Sequence, residues 1–193
     1  MKDLITHIQD HATYLGSGIL KADGFINHQL LPSLTAAMGQ AFARAFSQAG
    51  VTGVTRIVTA EVSGIAPALT TAMAMDLPMV FARKKRPAFM TGPLLCAGAI
   101  SRTKAEPVQL HISADYLKSD DRVLIIDDFL ATGSTLEALV SIVEQSGAVL
   151  AGIGCVIEKR FENGRARLEH LHVPVIALAR VDLDPLQQSI CVS

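Results

Sequence analysis

Residues 123–135 read Val123-Leu124-Ile125-Ile126-Asp127-Asp128-Phe129-Leu130-Ala131-Thr132-Gly133-Ser134-Thr135. Four consecutive apolar residues, mostly β-branched, predict a strand that is buried on both faces. Two acids follow where this strand is expected to emerge, and a short loop then leads to Gly133. Beyond the loop, apolar residues recur at helical spacing until Gly147 ends the run: Leu136, Leu139, Val140 and Val143. The stretch therefore predicts a strand, a compact polar loop and a helix.

The loop and the start of the predicted helix can bind an anion. The first N–H groups of a helix have no partner within the helix, so they can donate to phosphate oxygens. Gly133 allows a close backbone approach, and the hydroxyls of Ser134 and Thr135 add donors. The carboxylates of Asp127 and Asp128 suit ribose hydroxyls, water bound to Mg²⁺, or a developing positive charge. Phosphate donors beside carboxylates indicate a sugar phosphate as the ligand.

The same stretch resembles the 5-phosphoribosyl 1-pyrophosphate (PRPP) motif of the type I phosphoribosyltransferases. The hydrophobic strand, Asp-Asp, Ala-Thr-Gly-Ser-Thr and the amphipathic helix come in the family's order. The resemblance implies that the 5-phosphate is held by Ala131, Thr132, Gly133, Ser134 and Thr135. A generic βα unit with exposed acids is the alternative interpretation, but all the local signals agree with the motif.

Composition limits the classes of protein that remain. A chain of 193 residues fits one α/β domain, and half of its residues are hydrophobic, which is ample for a core. The net charge of −1 disfavours general nucleic-acid binding. No apolar run reaches the roughly 18 residues of a membrane span, and no signal peptide is evident, so a cytoplasmic protein is expected. Cys96, Cys155 and Cys191 form no CxxC pair and are expected to be buried or incidental thiols.

Strands and helices alternate along the chain. Helices are predicted over 1–15, 32–50, 66–75 and 164–172, besides the one after the motif. Strands are predicted over 54–59, 78–82, 109–112, 123–126, 148–157 and 173–179. This order predicts a mainly parallel twisted sheet flanked by helices on both faces, in a single domain over 1–193. Ligands bind beyond the carboxyl ends of the strands in such sheets, where polar clusters occur at 61–65, 83–86 and 127–135.

Two segments do not fit the alternation. The irregular stretch 16–32 is either a lid or an ordinary connector. Residues 83–108 open with Arg-Lys-Lys-Arg and contain several prolines and glycines, and they are too long for an ordinary connection. A flexible flap is expected there, most simply a β-hairpin with a mobile tip that closes over the substrate. By itself the basic cluster is better interpreted as a solvated turn, but the phosphate motif elsewhere in the chain favours a role in binding pyrophosphate.

The family resemblance extends over nearly the whole chain. Glu61-Val62-Ser63-Gly64-Ile65 is similar to the family's pyrophosphate loop, so Ser63 and Gly64 are expected to bind PRPP. Phe81-Ala82-Arg83-Lys84 is similar to the strand that delivers an Arg-Lys pair to pyrophosphate. Other matching stretches are 19–21, 25–29, 63–68 and 151–159, which resemble the bacterial enzymes that act on xanthine. Residues 87–100 match poorly, and no site is expected there.

For the base, this subfamily resemblance implies a hood within residues 1–32, with Leu20 and Asn27 over the purine and Lys159 in contact with it. Residue chemistry agrees with these roles. A lysine only donates hydrogen bonds, so Lys159 favours a 6-oxo group over adenine's amino group, whereas Asn27 can read the 2-oxo side of xanthine. Without the resemblance, Lys159 is simply an exposed cation at a strand end and Asn27 a turn residue.

The expected reaction joins N9 of xanthine to C1 of the ribose of PRPP and releases pyrophosphate. Asp127 and Asp128 are the expected catalytic residues. Mg²⁺ is expected on pyrophosphate and ribose oxygens rather than in a protein metal site. Glu158 is the nearest candidate for a general base, although a structural acid is the better interpretation. A zinc site at His170 and His172 is disfavoured because further ligands are lacking.

Three alternatives remain beside this reading. One is an adenine or other purine phosphoribosyltransferase, which Lys159 and Asn27 disfavour. The second is a regulator that senses PRPP without catalysis, and a DNA-binding version would need a module for which the chain has too few residues. The third is a non-catalytic α/β interaction protein. Family resemblance also implies a homodimer, and no nucleic-acid or membrane partner is expected.

Overall fold

The computed structural model describes residues 1–100, 107–184 and 189–193. Its helices are α1 (Lys2–His11), α2 (Pro32–Gln48), α3 (Ile65–Met75) and α4 (Ser134–Ser146). Its strands are β1 (Thr13–Tyr14), β2 (Leu20–Lys21), β3 (Arg56–Ala60), β4 (Met79–Ala82), β5 (Leu94–Ile100), β6 (Pro107–Ser113), β7 (Arg122–Leu130), β8 (Val149–Lys159), β9 (Val175–Asp184) and β10 (Ser189–Val192). Short turns of π or 3₁₀ helix occupy Asp23–Asn27, Arg160–Glu162 and Ala166–Leu171.

Six strands form the central sheet in the order β10-β9-β8-β7-β3-β4. All neighbouring pairs are parallel except β10 with β9. The prediction of a mainly parallel sheet is confirmed. The antiparallel edge strand β10 was not predicted, because its four residues carry little periodic signal.

Strand β7 lies inside the sheet and is buried on both faces. Leu124 and Ile126 pack into a core with α1, α2 and α3, whereas Val123 and Ile125 pack into a second core with α4 and β6. This alternation follows from the period of two in a strand. The continuous apolar run is therefore the consequence of helices covering both faces, as predicted.

Several predicted boundaries were wrong. Helix α1 ends at His11 instead of residue 15, and Leu15 is exposed. Strand β7 continues through both acids to Leu130 instead of ending at Ile126, because Asp127 pairs with Cys155 and Leu130 with Glu158 in the register with β8. Strands β8 and β9 also run further than predicted, since pairing continues between them to Lys159 and Val181.

The predicted flap contains an antiparallel hairpin, formed by β5 and β6. This hairpin is a two-stranded sheet of its own, and it meets the central sheet region through one bridge between Arg83 and His111. Its predicted mobile tip falls on residues 101–106, which lie outside the described residues. The hairpin itself is confirmed by the pairing of Leu94 with Ser113 through Ile100 with Pro107.

The three cysteines are free thiols, with Cys155 buried and Cys191 exposed. Over the described residues, no group of three or more His, Cys, Asp or Glu side chains could hold a metal ion. A search of the same residues for a helix long and apolar enough to cross a membrane finds none.

Two glycines inside β8 are required by packing. A methyl group on Gly154 would lie 2.7 Å from Ile126 Cδ1 and 2.8 Å from Phe42 Cε1. A methyl group on Gly152 would lie 2.7 Å from Phe46 Cε1. Helix α2 can therefore approach the sheet closely only because these two positions have no side chain.

We predict that Gly154→Ala lowers the free energy of unfolding by roughly 1–3 kcal/mol, because overpacking forces neighbouring side chains from their preferred positions. Urea unfolding measures the effect. Gly98→Ala is the matched control, since Gly98 also lies in a strand but has no atom within 4 Å of the added carbon. Equal stability of the two variants would contradict the packing account.

Candidate functional site

A cavity of about 540 Å³ opens at the carboxyl ends of β3 and β7. Every predicted site residue except Arg83 lines it: Leu20, Asn27, Ser63, Gly64, Lys84, Asp127, Asp128, Ala131, Thr132, Gly133, Ser134, Thr135 and Lys159. These residues come from segments that are far apart in the chain. The residues that follow β3, β4 and β7, and Lys159 at the end of β8, meet because the carboxyl ends of parallel strands share one edge of the sheet. Leu20 and Asn27 reach the cavity from the segment before α2.

Residues 131–135, which the sequence predicts to hold a phosphate, surround the start of α4. Gly133 adopts a left-handed conformation (φ +85°) immediately before the helix, which a glycine accommodates without strain. Within the described residues, no side chain caps this helix. The first backbone N–H groups of α4 and the hydroxyl groups of Ser134 and Thr135 can therefore serve an anion in the cavity.

The acid pair lies at the end of β7, beside this loop. Asp127 is buried and Asp128 is half-buried, and the backbone N–H of Asp128 donates to Asp127 Oδ1 at 3.0 Å. Burial raises the pKa of Asp127 well above its usual range, and the neighbouring charge of Asp128 raises it further. Burial also raises the pKa of Asp128, although Asp127 and backbone N–H groups act in the opposite direction. A cation entering the cavity would favour the charged forms of both.

Gly64 permits this arrangement. A methyl group on Gly64 would overlap the Thr59 hydroxyl and lie 2.5 Å from Asp127 Oδ1. The pyrophosphate-loop segment can therefore pass directly over the acid only with glycine at this position. The peptide bond between Glu61 and Val62 in this segment is cis.

The two basic residues predicted to bind pyrophosphate, Arg83 and Lys84, lie in different surroundings. Lys84 lines the cavity, and its backbone N–H donates to Glu61 Oε1 at 2.8 Å. The Arg83 guanidinium instead lies over the rings of Phe81 and Phe89, 5.1 and 5.6 Å from their centroids. The structure thus brings Lys84 but not Arg83 to the cavity, because the Arg83 side chain packs on these two rings instead.

Lys159 is buried at the end of β8, not exposed at a strand end. Its Nζ donates to the Gly18 carbonyl at 2.9 Å and lies 5.0 Å from the centre of the Phe129 ring. The Gly18 contact connects β8 to the turn between β1 and β2. Leu20 and Asn27 follow this turn and line the same cavity.

Sequence reasoning did not single out several residues at the site. They are Gly18, Ile19, Ala60, Ala99, Val108, Leu110, Phe129 and Leu136. Most are apolar and give no chemical signal of their own. Ala99 lies within residues 87–100, where no site was expected. Val108 and Leu110 lie on the other strand of the hairpin, and only the tertiary structure shows that these three side chains line the cavity.

Glu158 is a structural acid. It is buried and accepts hydrogen bonds from Arg165 Nε and Nη2, each at 2.6 Å, and from Arg180 Nε at 3.3 Å. Burial alone would raise its pKa, but the two arginines outweigh burial and hold the pKa below its usual range. A carboxylate with this many cationic partners is a poor proton acceptor.

We predict that Asp127→Asn raises the free energy of unfolding of the ligand-free protein at pH 7. The folded state raises the pKa of this acid, so stability is lost as the pH rises from the unfolded-state value of about 3.9 through the folded value. The gain from asparagine should therefore shrink on acidification. Urea unfolding at several pH values checks this, with exposed Asp120→Asn as control. A gain that is independent of pH would contradict burial of the charge as the cause.

A comparison with protein-family models matches residues 32–175 to the phosphoribosyl transferase domain. The chain is 56% identical over 181 residues to a protein of Deinococcus deserti named xanthine phosphoribosyltransferase, covering 94% of this chain and 92% of that protein. It is 47% identical over 181 residues to the protein of the same name in Bacillus licheniformis, with coverages of 94% and 92%.

Among solved structures, adenine phosphoribosyltransferase of Saccharomyces cerevisiae aligns with a TM-score of 0.73 at 24% identity, over 92% of this chain and 99% of that chain. The adenine phosphoribosyltransferase of Rhodothermus marinus gives 0.72 at 24% identity, over 95% and 100%. These likenesses establish the fold. Taken with the family match and the close relatives, they show that the chain belongs to the phosphoribosyltransferase family and has its type I fold.

Proposed function

We propose that this enzyme transfers the 5-phosphoribosyl group of PRPP to N9 of xanthine, giving xanthosine 5′-monophosphate and pyrophosphate in purine salvage. The observation that carries the proposal is the buried ammonium of Lys159 in the same cavity as the acid pair and the phosphate loop. The relatives named xanthine phosphoribosyltransferase, which match 94% of the chain, support the same substrate.

The phosphate loop, Ala131 to Thr135, would hold the 5-phosphate of PRPP. Its support is the uncapped start of α4 and the hydroxyl groups beside it. Held at this end, the ribose would extend across Asp127 and Asp128. Positioning both reactants in one cavity contributes much of the rate, because a bimolecular reaction becomes effectively unimolecular.

Asp127 and Asp128 would act on the ribose. Their carboxylates can accept hydrogen bonds from the ribose hydroxyls and favour positive charge on the ring as the bond to pyrophosphate breaks. The transition state should resemble an oxocarbenium ion, as in glycoside hydrolysis. No nucleophile is needed, and preorganised negative charge is sufficient to stabilise such a state. In the free enzyme, burial opposes negative charge on the pair. The positive charge that develops on the ribose would therefore stabilise the ionised carboxylates.

Pyrophosphate would leave toward the loop that contains Ser63 and Gly64, with Lys84 as its cation. Arg83 was also expected to bind PRPP. Its guanidinium lies over Phe81 and Phe89, so this role would require the side chain to leave both rings. We therefore assign the pyrophosphate primarily to Lys84 and the loop, with Arg83 as a secondary contact that forms only after such a movement.

The base would occupy the part of the cavity formed by Leu20, Asn27, Phe129 and Lys159. The ammonium group of a lysine can only donate hydrogen bonds, so it favours a purine with a 6-oxo group and disfavours one with an amino group at that position. It can exchange the Gly18 carbonyl for the purine oxygen without losing a partner. The donor and acceptor of Asn27 would read the 2-oxo side. Together, Lys159 at the 6-position and Asn27 at the 2-position would distinguish xanthine from adenine, the principal alternative substrate.

The described residues supply two neighbouring carboxylates but no group of three ligands, and this donor set fits Mg²⁺ brought in by PRPP better than a resident ion. Asp127 and Asp128 would hold such an ion through its water ligands. Bound Mg²⁺ would neutralise charge on the departing pyrophosphate.

We also propose how the chain is organised into functional segments and how it assembles. Residues 1–32 would include the purine hood, residues 83–108 the flap, and the whole chain one domain. A cytoplasmic homodimer remains our expectation for the assembled enzyme. The regulator alternative is not favoured, because a sensor has no need for a base-reading lysine beside the acid pair.

The reaction is tested by mixing the purified protein with PRPP, Mg²⁺ and each purine in turn, and detecting nucleotide by chromatography. We expect xanthosine 5′-monophosphate and little adenosine monophosphate. The double substitution Asp127→Asn with Asp128→Asn should remove most turnover while thermal unfolding shows an intact fold. Near-normal turnover of the double variant would refute the role of the acids, and exclusive use of adenine would refute the assigned substrate.

We predict that Asn27→Ala narrows the preference for xanthine over hypoxanthine by roughly tenfold, since an unpaired polar group costs on the order of 1–3 kcal/mol. The measurement is the ratio of kcat/KM for the two bases. Gln29→Ala is the matched control, because Gln29 lies two residues away and is not among the cavity-lining residues of the described chain. An unchanged ratio for Asn27→Ala would show that the hood reads the base differently.

A further inference from the structure

The phosphate loop is supported from behind by Gly164, a buried residue that is not among the described residues lining the cavity. A methyl group on Gly164 would overlap the Ala131 carbonyl oxygen and lie 2.8 Å from Gly133 N. In the other direction, a methyl group on Gly133 would lie 3.0 Å from the Gly164 carbonyl oxygen. The backbones of the two segments are therefore in direct contact, with no side chain between them.

The position of Gly164 is set by the next residue, Arg165. The guanidinium of Arg165 donates to both carboxylate oxygens of Glu158 at 2.6 Å and to the Val175 carbonyl at 2.9 Å. Two-pronged binding of this kind constrains orientation as well as distance. It fixes the turn that carries Gly164 to two strands of the central sheet, β8 and β9.

The same acid is in register with the phosphate loop. Glu158 pairs with Leu130 across β8 and β7, and Leu130 immediately precedes Ala131. Arg165 is therefore anchored on Glu158 of β8, which lies beside Leu130, the last residue of β7 before the loop. A displacement of Arg165 would therefore move the loop, because the backbone of Gly164 is in direct contact with the backbone of Ala131 and Gly133.

We propose that Arg165 is a positioning residue for the 5-phosphate: anchored on Glu158, it holds Gly164 against Ala131–Gly133 and so keeps the loop in its anion-binding shape. The proposal rests on the proposed function only in taking this loop as the phosphate site. Arg180 offers a matched control, because it contacts Glu158 Oε2 at 3.3 Å and lies on β9. Its side chain makes this ion pair with β8 and, within the described residues, no hydrogen bond to the turn that carries Gly164.

The test is the affinity for ribose 5-phosphate, measured by titration calorimetry, together with KM for PRPP and for xanthine. Ribose 5-phosphate probes the loop without base or pyrophosphate. Arg165→Gln should weaken its binding about tenfold and raise KM for PRPP similarly, because small misplacements of binding groups are costly. KM for xanthine should stay close to the wild-type value. Arg165→Lys should recover part of the affinity, and Arg180→Gln should retain it.

Gly164→Ala provides a second route to the same result. It leaves the ion pair in place but puts a methyl group against the loop, so it should also weaken ribose 5-phosphate binding. If Arg165→Gln does not fold, the ribose 5-phosphate affinity of Gly164→Ala tests the proposal instead. Unchanged affinity in the folded variants would overturn the proposal, as would absence of ribose 5-phosphate binding by the wild-type protein. A wild-type protein that binds ribose 5-phosphate but turns over no purine would refute the proposed reaction alone.

Discussion

The burial of β7 on both faces is the constraint on which the rest of the structure depends. Its apolar residues alternate between two cores, so the strand can only lie inside the sheet with helices on each side. Such a strand ends at one edge of the sheet, and the chain must turn there. At that edge it carries two acids, of which Asp127 is buried. Every other part of the site is arranged around this end.

Segments of backbone pack closely together at two points of that edge. Gly64 passes directly over Asp127, and Gly164 lies directly behind Gly133. In both places a side chain would force one segment away from the other. These two contacts constrain the segments 61–64 and 131–135, both of which line the cavity.

Charge in the site is handled in two ways. The acid pair is buried beside Lys84, and burial opposes its ionisation until a cation is present. Glu158, by contrast, is fully paired with two arginines and remains charged. Burial therefore opposes charge on the acid pair, whereas the arginines stabilise the charged form of Glu158. The acid pair and Glu158 thus differ in their preferred charge state because they have different partners.

The motif strand, its acids, the loop before α4 and the alternation of strands and helices could be predicted from sequence, because these depend on local periodicity and on residues adjacent in the chain. The burial of Lys159, the turning of Arg83 away from the cavity, the placement of the hairpin beside it, and the support of Gly133 by Gly164 could not. They depend on which side of a strand a residue faces, on sheet order and on contacts between distant segments. Local chemistry determined what the site contains, and only the packing of the sheet decided which groups reach it, since register and distance exist only in three dimensions.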